Sequence, residues 1–324
     1  MSKTLRPLKY WVMGLVVAVI VPHVVGTVYT NIIVTFMLDA VFALTVNLLM
    51  GYTGLVTFGH AMFLGLGGYA AALALKHMPG FPLIGVIFVS GLAAFLLSCA
   101  VAPLLARVTG TAFAMLTFGF GQLMYVICLK FREITGGEDG IAGYSTPPIH
   151  LGFTNVNITD PINFYYFSLI VLGAVTFLMW WLVNTPFGTV IVGIRDNALR
   201  VHYLGYRVKH SKALVLIISG TLAGFVGGIY ALFHHLVSTD GVLTIFVSFY
   251  PLMACYIGGI GSFFGPILGA GILQGINVLI SRYTQRIDLV NGIIFILVVM
   301  YLPMGSIGIW LSIKGWVLKN KRKA

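Results

Sequence analysis

A very long stretch with almost no charge is the feature that most constrains how this chain can fold. Between residues 10 and 129 the only formal charges are those of Asp39, Lys76 and Arg107. A run this apolar does not stay folded in water as one compact domain, and hydrocarbon offers no partner for bare N–H and C=O groups. The chain must therefore close its own hydrogen bonds as helices, each of about 20 apolar residues. The sequence predicts an integral membrane protein.

Composition agrees with this class. The chain is 59% hydrophobic and 8% charged, values that are typical of polytopic membrane proteins. A net charge of +11 would suggest nucleic acid in a soluble protein. Here the basic residues cluster in short segments between apolar spans, so we expect a lipid bilayer and no nucleic acid as partner. Cys99, Cys128 and Cys255 lie in apolar runs without a CxxC pair, and neither a disulfide nor a metal site is predicted.

Hydropathy, cut at charges and at Gly/Pro clusters, predicts an all-α bundle of about ten transmembrane helices in one domain, residues 1–324. The expected spans are residues 10–30, 31–50, 52–75, 83–106, 110–129, 164–183, 213–236, 244–260, 263–281 and 291–310. Eight spans are also possible, because the uncharged stretch 241–281 is divided only on account of its length. With the N-terminus inside, 14 of the 19 basic residues fall on the inner side and six of the eight acids on the outer side. Both termini are therefore expected to be cytoplasmic.

Three segments are expected outside the membrane: an outer loop at 130–163, an inner segment at 184–212 and a basic tail at 311–324. The inner segment predicts a helix over 189–204 that Gly205 ends. Its apolar positions lie near one face: Val190, Ile191, Ile194, Ala198, Val201 and Leu204. Such a helix either lies on anionic lipid or docks in a groove of a partner protein.

Glycine is unusually dense between residues 51 and 69, where there are six glycines. Each costs about 1 kcal/mol in a helix interior relative to Ala, so the density needs a reason. Small residues permit close helix packing in lipid, and a broken helix can also line a transport pathway. The candidate pathway residues are Asp39, Tyr52, Thr53, Gly54, Thr57, Gly59, His60, Gly65, Gly67 and Tyr69. Among these, His60 is either a hydrogen-bonded structural histidine or a contact for substrate or protons. Asp39, an acid inside a predicted span, is either functional or paired with a polar residue such as Asn47.

Four motifs, in order along the chain, resemble segments of one transporter family. They are Gly54-x4-Gly59-His60-Ala61-x-Phe63-x-Gly65-x-Gly67-x-Tyr69, Thr135-Gly136-Gly137-x-Asp139-Gly140, Gly188-x5-Ile194-Arg195-Asp196-Asn197-x6-Leu204-Gly205 and Gly258-Gly259-Ile260-Gly261-x3-Gly265-Pro266-x2-Gly269. Together they are similar to the permease subunits of branched-chain amino acid ABC importers, the LivM type, over about residues 30–305.

The resemblance implies a multi-pass subunit of the bacterial inner membrane. It would pair with a second homologous permease, bind two cytoplasmic ATPase subunits and receive solute from a periplasmic substrate-binding protein. Residues implied to couple the chain to the ATPases are Gly188, Ile194, Arg195, Asp196, Asn197, Leu204 and Gly205. Residues implied to meet the binding protein are Gly136, Gly137, Glu138, Asp139 and Gly140. Within the wider family, hydrophobic amino acids are the expected solutes, with urea or small carboxylates as other possibilities.

No Gly-x4-Gly-Lys-[Ser/Thr] phosphate loop occurs in the sequence. We therefore expect ATP and Mg²⁺ to be bound by partner ATPases and no cofactor in this chain. The sequence also contains no HExxH, no GxSxG and no paired carboxylates, so an enzyme is not predicted. The alternative function is a proton-coupled secondary transporter that works without an ATPase and uses Asp39 and His60 as a relay.

Overall fold

A computed structural model of the chain describes residues 22, 26–150, 155–283 and 286–301. The regular secondary structure of this part of the chain is helical apart from four strands of two residues each. Its elements are, in order, α1 Thr27–Thr53, α2 Ala61–His77, α3 Leu83–Leu105, α4 Thr111–Lys130, α5 Arg132–Thr135, β1 Ile141–Ala142, β2 Ile149–His150, β3 Asn155–Val156, α6 Pro161–Val183, α7 Pro186–Tyr203, α8 Val208–His234, β4 Leu236–Val237, α9 Thr239–Val242, α10 Ile245–Gly258, α11 Gly265–Ile280 and α12 Ile287–Tyr301.

Six helices in the described residues are long and apolar enough to cross a membrane. They are α1, α3, α4, α6, α8 and the stretch Thr239–Gly258 that contains α9 and α10. Shorter apolar helices follow at Gly265–Ile280 and Leu289–Val298. The polytopic helical class is thus confirmed, whereas ten spans and cytoplasmic termini stay predictions. Most of the predicted span 10–30, part of the span 291–310 and the basic tail 311–324 lie outside the described residues.

The uncharged stretch 241–281 folds as two antiparallel helices, α10 and α11, joined by a turn at residues 259–264 that we call the hairpin turn. The two helices touch through glycine: a Cβ at Gly269 would overlap the carbonyl of Ala254, and one at Gly258 would overlap the backbone of Gly265. Glycine therefore sets how closely this hairpin closes. The division of the stretch into two helices agrees with the prediction.

Glycines also allow α2 and α8 to pack closely against each other. A Cβ at Gly67 would overlap the backbone of Gly224 in α8, and one at Gly227 would overlap the carbonyl of Leu64. In lipid, where apolar burial drives helices together only weakly, such close backbone approach is a main source of association. The dense glycines of α2 therefore serve packing.

Contacts between loops show which connecting segments lie together at each end of the bundle. At one end β1 pairs with β4, so that Ile141 lies opposite Val237, and the Tyr125 hydroxyl donates to Asp240 Oδ1 at 2.9 Å. We call this the strand end. At the other end Arg195 of α7 reaches the last turn of α1. That end carries six Lys/Arg and one acid among the described residues, against five and six at the strand end, and we call it the basic end.

Candidate functional site

The predicted span 52–75 is not one continuous helix. Helix α1 ends at the basic end, where Gly54 takes a left-handed conformation with φ 75° and the Leu55 N–H donates to Leu49 O at 2.9 Å, a glycine C-cap. Residues 54–60, which we call the break segment, are not helical, and α2 begins only at Ala61. The span 52–75 is therefore interrupted, and the broken helix that the dense glycines left open as an alternative is present.

The break segment reaches the middle of the bundle. Ser219 of α8 donates to Thr45 O at 2.7 Å and lies 3.3 Å from Nε2 of His60, while the Ala61 N–H donates to Ser248 Oγ at 3.0 Å. At 1.5 Å per residue, Thr45, Ser219 and Ser248 lie about 12 to 16 Å from the basic ends of their helices. Half of a hydrocarbon core is about 15 Å, so α2 starts near the membrane midplane.

Non-helical backbone at this depth requires partners from the protein, because lipid supplies none. The Phe58 N–H donates to Thr117 Oγ1 of α4 at 3.2 Å, and that hydroxyl in turn donates to Ala114 O at 2.8 Å. A Cβ at Gly59 would overlap the Thr117 carbonyl. Only glycine therefore allows the break segment to lie against α4 at this point.

His60 is the last residue of the break segment and is fully buried. Its ring stacks on Phe42 with centroids 5.8 Å apart and meets the edge of Phe63 at 5.3 Å. Because the Ser219 hydroxyl donates to Thr45 O, Nε2 of His60 must be the donor to Ser219, and Nδ1 has no partner among the described residues. The contacts are those expected of a hydrogen-bonded core histidine.

Most of the ten candidate pathway residues are buried within the helical bundle. Gly54 is exposed at the basic end and Asp39 is half-buried, and the other eight are buried: Tyr52, Thr53, Thr57, Gly59, His60, Gly65, Gly67 and Tyr69. Gly65 packs on the Leu243 side chain, as Gly67 packs on Gly224. A route through these residues would require the helices around the break segment to separate.

Asp39 lies in α1 beside Tyr250 of α10, with Tyr230 also close enough to interact. It takes part in neither of the ion pairs found in the described residues. The Asn47 side chain is engaged elsewhere, and the polar neighbour of Asp39 is instead Tyr250 on another helix. An acid inside a membrane-spanning helix that forms no ion pair among the described residues remains a candidate for contact with a polar solute.

Helix α7 carries the predicted coupling residues. Thr185 caps its start, accepting from the Gly188 N–H at 3.4 Å, and a Cβ at Gly188 would overlap the Val183 carbonyl at the end of α6. Ile191 and Ile194 are buried against the bundle, where α7 packs on α1 and α8. The first half of α7 is thus fixed to the protein by its apolar side.

At Asn197 α7 bends, because this residue has non-helical angles, φ −161° and ψ 98°. The Asn197 Oδ1 accepts from the Arg200 N–H at 3.0 Å, which makes it the cap of a second short helix. Beyond the bend Val201 is buried, whereas Leu204, which was predicted to share a face with it, is 70% exposed. The predicted helix 189–204 is therefore bent at Asn197, and Gly205, with φ 90°, follows its end as predicted.

The Arg195 side chain is 36% exposed and lies against the end of α1. Its Nη1 donates to Gly51 O at 2.7 Å and its Nε donates to Asp196 Oδ1 at 3.1 Å. Its stem packs on Gly54, where a Cβ would lie 3.0 Å from Arg195 Cγ. The last carbonyls of a helix lack partners in that helix and carry partial negative charge, so a guanidinium is well matched to the end of α1.

The hairpin turn also contacts α1, close to Arg195. The Asn47 side chain is fully buried, donates to Ser262 O at 3.0 Å and accepts from the Gly261 N–H at 3.3 Å. A Cβ at Gly261 would lie 2.9 Å from Arg195 Nη1. The end of α1, the first half of α7 and the hairpin turn therefore converge on Arg195, and we call this place the junction.

At the strand end the predicted docking loop folds back on the protein. Gly136, Gly137 and Gly140 all have positive φ, and a Cβ at Gly140 would overlap the Val237 carbonyl beside β4. Asp139 pairs with Arg132 at 3.6 Å, and both Glu138 and Asp139 are exposed. The glycines shape this loop, while its two acids are accessible.

Tyr144 anchors the same loop. Its hydroxyl donates to Ala231 O at 2.8 Å at the end of α8. Burial, with a smaller contribution from nearby Tyr230, raises the pKa of Tyr144, so the phenol stays neutral and keeps its donor proton. The loop is thus tied to the bundle independently of the acids.

Comparisons with known proteins agree with the motifs. The profile of the family "Branched-chain amino acid transport system / permease component" matches residues 28–302. The chain belongs to this family. It is 28% identical over 316 residues to the LivM permease protein of Salmonella typhimurium, covering 90% of this chain and 72% of that protein. It is 27% identical over 327 residues to LivM of Escherichia coli, covering 94% and 76%.

A more distant relative carries another solute in its name. The guanosine ABC transporter permease protein NupQ of Bacillus subtilis is 26% identical over 172 residues, about half of each chain. No solved structure matches the chain. Family membership makes this protein a membrane permease component of an ABC transport system and not a catalytic enzyme, and the comparisons give no support to the proton-coupled alternative.

Sequence reasoning missed several residues that build the site in this permease: Asn47, Gly51, Thr117, Ser219, Ser248 and Ser262. They are small or polar residues scattered through apolar runs. The available signal was their polarity inside predicted spans, since a buried hydroxyl or amide needs a partner. The identity of each partner depends on contacts between residues far apart in sequence, as in the 187-residue separation between Ala61 and Ser248.

Proposed function

We propose that this chain is a permease subunit of an importer in the bacterial inner membrane that moves branched-chain or other hydrophobic amino acids. It acts with a second, related permease, two cytoplasmic ATPases that bind ATP and Mg²⁺, and a periplasmic substrate-binding protein. The family match over residues 28–302 carries this proposal, and the LivM relatives support the solute class. The guanosine permease leaves room for a different small solute in this system.

The basic end is assigned to the cytoplasm. Six Lys/Arg against one acid lie there, while the strand end has five against six. Loops rich in Lys and Arg stay on the cytoplasmic side. With this orientation α7 faces the ATPases, and the exposed acids Glu138 and Asp139 face the periplasmic binding protein.

The ATPase is assigned to the second half of α7. Four apolar side chains at the basic end, which we call the α7 patch, are 50 to 85% exposed: Leu199, Tyr203, Leu204 and Tyr206. Side chains of this kind on a bent, charged helix suit a groove in a partner protein. Arg195 and Ile194 lie on the other side, against the permease itself.

The break segment is assigned to the solute pathway. Transporters commonly place their sites where a helix is interrupted near the midplane. Here the break segment ends near that depth, with half-buried Asp39 on the adjacent helix α1. The pathway opens when the surrounding helices separate, because the segment is packed in this conformation.

Co-purification and uptake test the proposal with a matched pair of tyrosines. Tyr203 in the α7 patch is 85% exposed, and Tyr283 at the strand end is 90% exposed. Replacing Tyr203 with Ser is expected to weaken capture of the ATPases by about tenfold, since one apolar anchor contributes about 1.4 kcal/mol or more. Tyr283→Ser is expected to leave capture unchanged. Amino acid uptake by the purified chain alone in vesicles with a pH gradient would overturn the importer assignment.

A further inference from the structure

Arg195 stands at the bend of α7, between its inner half and its exposed patch. Its side chain makes two hydrogen bonds, to Gly51 O at 2.7 Å and to Asp196 Oδ1 at 3.1 Å, and both partners belong to this chain. Two of the guanidinium's N–H donors are therefore used within the permease, and the side chain remains 36% exposed.

The Gly51 carbonyl is a specific acceptor for this cation. It lies in the last turn of α1, where carbonyls have no partner within the helix. Leu49 O is already used by Leu55, whereas Gly51 O is satisfied by Arg195. The negative end of the helix dipole strengthens this bond.

Glycine keeps space for the arginine on two sides. A Cβ at Gly54 would lie 3.0 Å from Arg195 Cγ, and one at Gly261 would lie 2.9 Å from Nη1. Both glycines also have positive φ, 75° and 80°, which larger residues adopt at a cost. Gly54 and Gly261 thus leave space for the Arg195 side chain, while Gly51 supplies the carbonyl that accepts its hydrogen bond.

The two segments that Arg195 lies against are those that would have to move for transport. Gly54 is the first residue of the break segment, which runs from the junction to the midplane. Gly261 belongs to the hairpin turn, which Asn47 fastens to α1 by two hydrogen bonds. A displacement of α7 would therefore act at the start of the break segment and at the hairpin turn together.

We propose that Arg195 is a positioning residue that ties α7 to the break segment and the hairpin turn, so that movement of α7 shifts the midplane part of the pathway. This inference rests on the proposed function, because it takes the ATPase as the cause of the movement. The α7 patch binds the ATPase, and Arg195 transmits the displacement inside the permease. Lysine cannot replace it, since a single ammonium lacks the fork that reaches Gly51 O and Asp196 at once.

Variants of Arg195 separate transmission from docking. In the assembled complex, Arg195→Ala and Arg195→Lys are expected to retain the ATPases and their ATP hydrolysis but to lower uptake by about tenfold, a coupling loss of ordinary size. Tyr203→Ser is expected to lose the ATPases instead. Loss of the ATPases from Arg195→Ala would overturn the inference, because it would make Arg195 a docking residue, and normal uptake by Arg195→Ala would overturn it as well. Failure of the unmodified chain to bind any ATPase would refute the proposed function. The contact between α7 and the end of α1 would still be tested by the crosslink described next.

A disulfide between α7 and the start of the break segment tests directly whether a link between these two segments transmits displacement. The ideal Cβ of Gly54 lies 3.6 Å from Cβ of Arg195, within the range of about 3.5 to 4.5 Å that disulfides require. In a chain whose three cysteines are replaced by Ala, Gly54→Cys with Arg195→Cys is expected to crosslink under mild oxidation without nucleotide. Because the disulfide joins α7 to the start of the break segment in place of Arg195, oxidation is expected to restore uptake that the reduced pair, which lacks the guanidinium, has lost.

Two outcomes would contradict the junction as described. No crosslink in the nucleotide-free chain would refute the contact of α7 with the end of α1. Uptake that stays equally low before and after crosslinking would show that a tie between α7 and the end of α1 does not transmit the displacement. Single-cysteine variants at each position serve as controls for crosslinks to other molecules.

Discussion

Ser248→Ala is the substitution that tests the helix break most directly. Ser248 is 2% exposed, and its hydroxyl accepts from the Ala61 N–H at 3.0 Å at the first residue of α2. The next two N–H groups of α2 are satisfied locally, by Gly59 O at 3.1 Å and His60 O at 3.2 Å. Alanine would leave the Ala61 N–H without an acceptor at a buried position where neither water nor lipid can replace the hydroxyl.

The size of the effect follows from that single orphaned donor. A buried polar group deprived of its partner costs about 1–3 kcal/mol. Ser248→Ala is therefore expected to lower the free energy of unfolding by about this amount, measured by denaturant unfolding of the purified permease in detergent micelles. The loss should come without any change in hydrophobic packing, since the substitution removes only the hydroxyl oxygen.

Ser168→Ala is the matched control. Ser168 is fully buried, and its hydroxyl donates to Tyr165 O at 2.8 Å in the same helix. That carbonyl keeps its environment inside α6 when the hydroxyl is removed, so the expected loss is below about 1 kcal/mol. If both variants lost the same free energy of unfolding, Ser248 would not be supporting the start of α2, and the position of the break segment would be wrong.

Two further predictions concern the packing of α2 and the acidic loop. Gly67→Ala forces a methyl group onto the backbone of Gly224, so it is expected to lower the free energy of unfolding by about 1–3 kcal/mol; Gly173→Ala, whose Cβ would meet open space, is the control, and equal effects would refute close packing at Gly67. Reversing Glu138 and Asp139 to Lys is expected to weaken binding of the substrate-binding protein at low salt by about tenfold and to matter less at high salt. An effect on Kd that is independent of salt would contradict a charge contact.

The bundle itself could be predicted from composition and hydropathy. Apolar runs of the right length gave the positions of α3, α4, α6 and α8 to within a few residues, because the requirement for internal hydrogen bonds leaves helices as the solution in lipid. The sidedness of charge likewise follows from a simple rule applied to loops. These features depend on the local sequence alone.

The depth of the break could not be predicted in the same way. Gly59 and Gly67 look alike in the sequence, yet one allows the break segment to lie on Thr117 and the other lets α2 touch Gly224. What distinguishes them is the partner, and the partner of Ala61 is Ser248, 187 residues away. Glycine density therefore predicted that something unusual occurs near residue 60 without showing whether it was packing or interruption, and both are present.

The bend at Asn197 explains why the face of α7 was misjudged. Asparagine competes with helical hydrogen bonds by capping, and here its Oδ1 takes the Arg200 N–H. A periodic pattern continued through the bend places Leu204 on the same face as Ile191 and Ile194, whereas Leu204 is 70% exposed and both isoleucines are buried. The error is one of orientation after a single residue, and it falls where the helix divides into two parts.

That division gives the run Ile194 to Asn197 a different meaning from a docking motif. Ile194 is buried, Arg195 is bonded to Gly51 O, and Asn197 bends the chain, so each side chain of the run acts within the permease. The groups free to meet a partner come after it, in the α7 patch. A helix with an inner half fixed to the bundle and an outer half that projects apolar rings is suited to receive a displacement at one end and deliver it at the other, and Arg195 lies at the boundary between them.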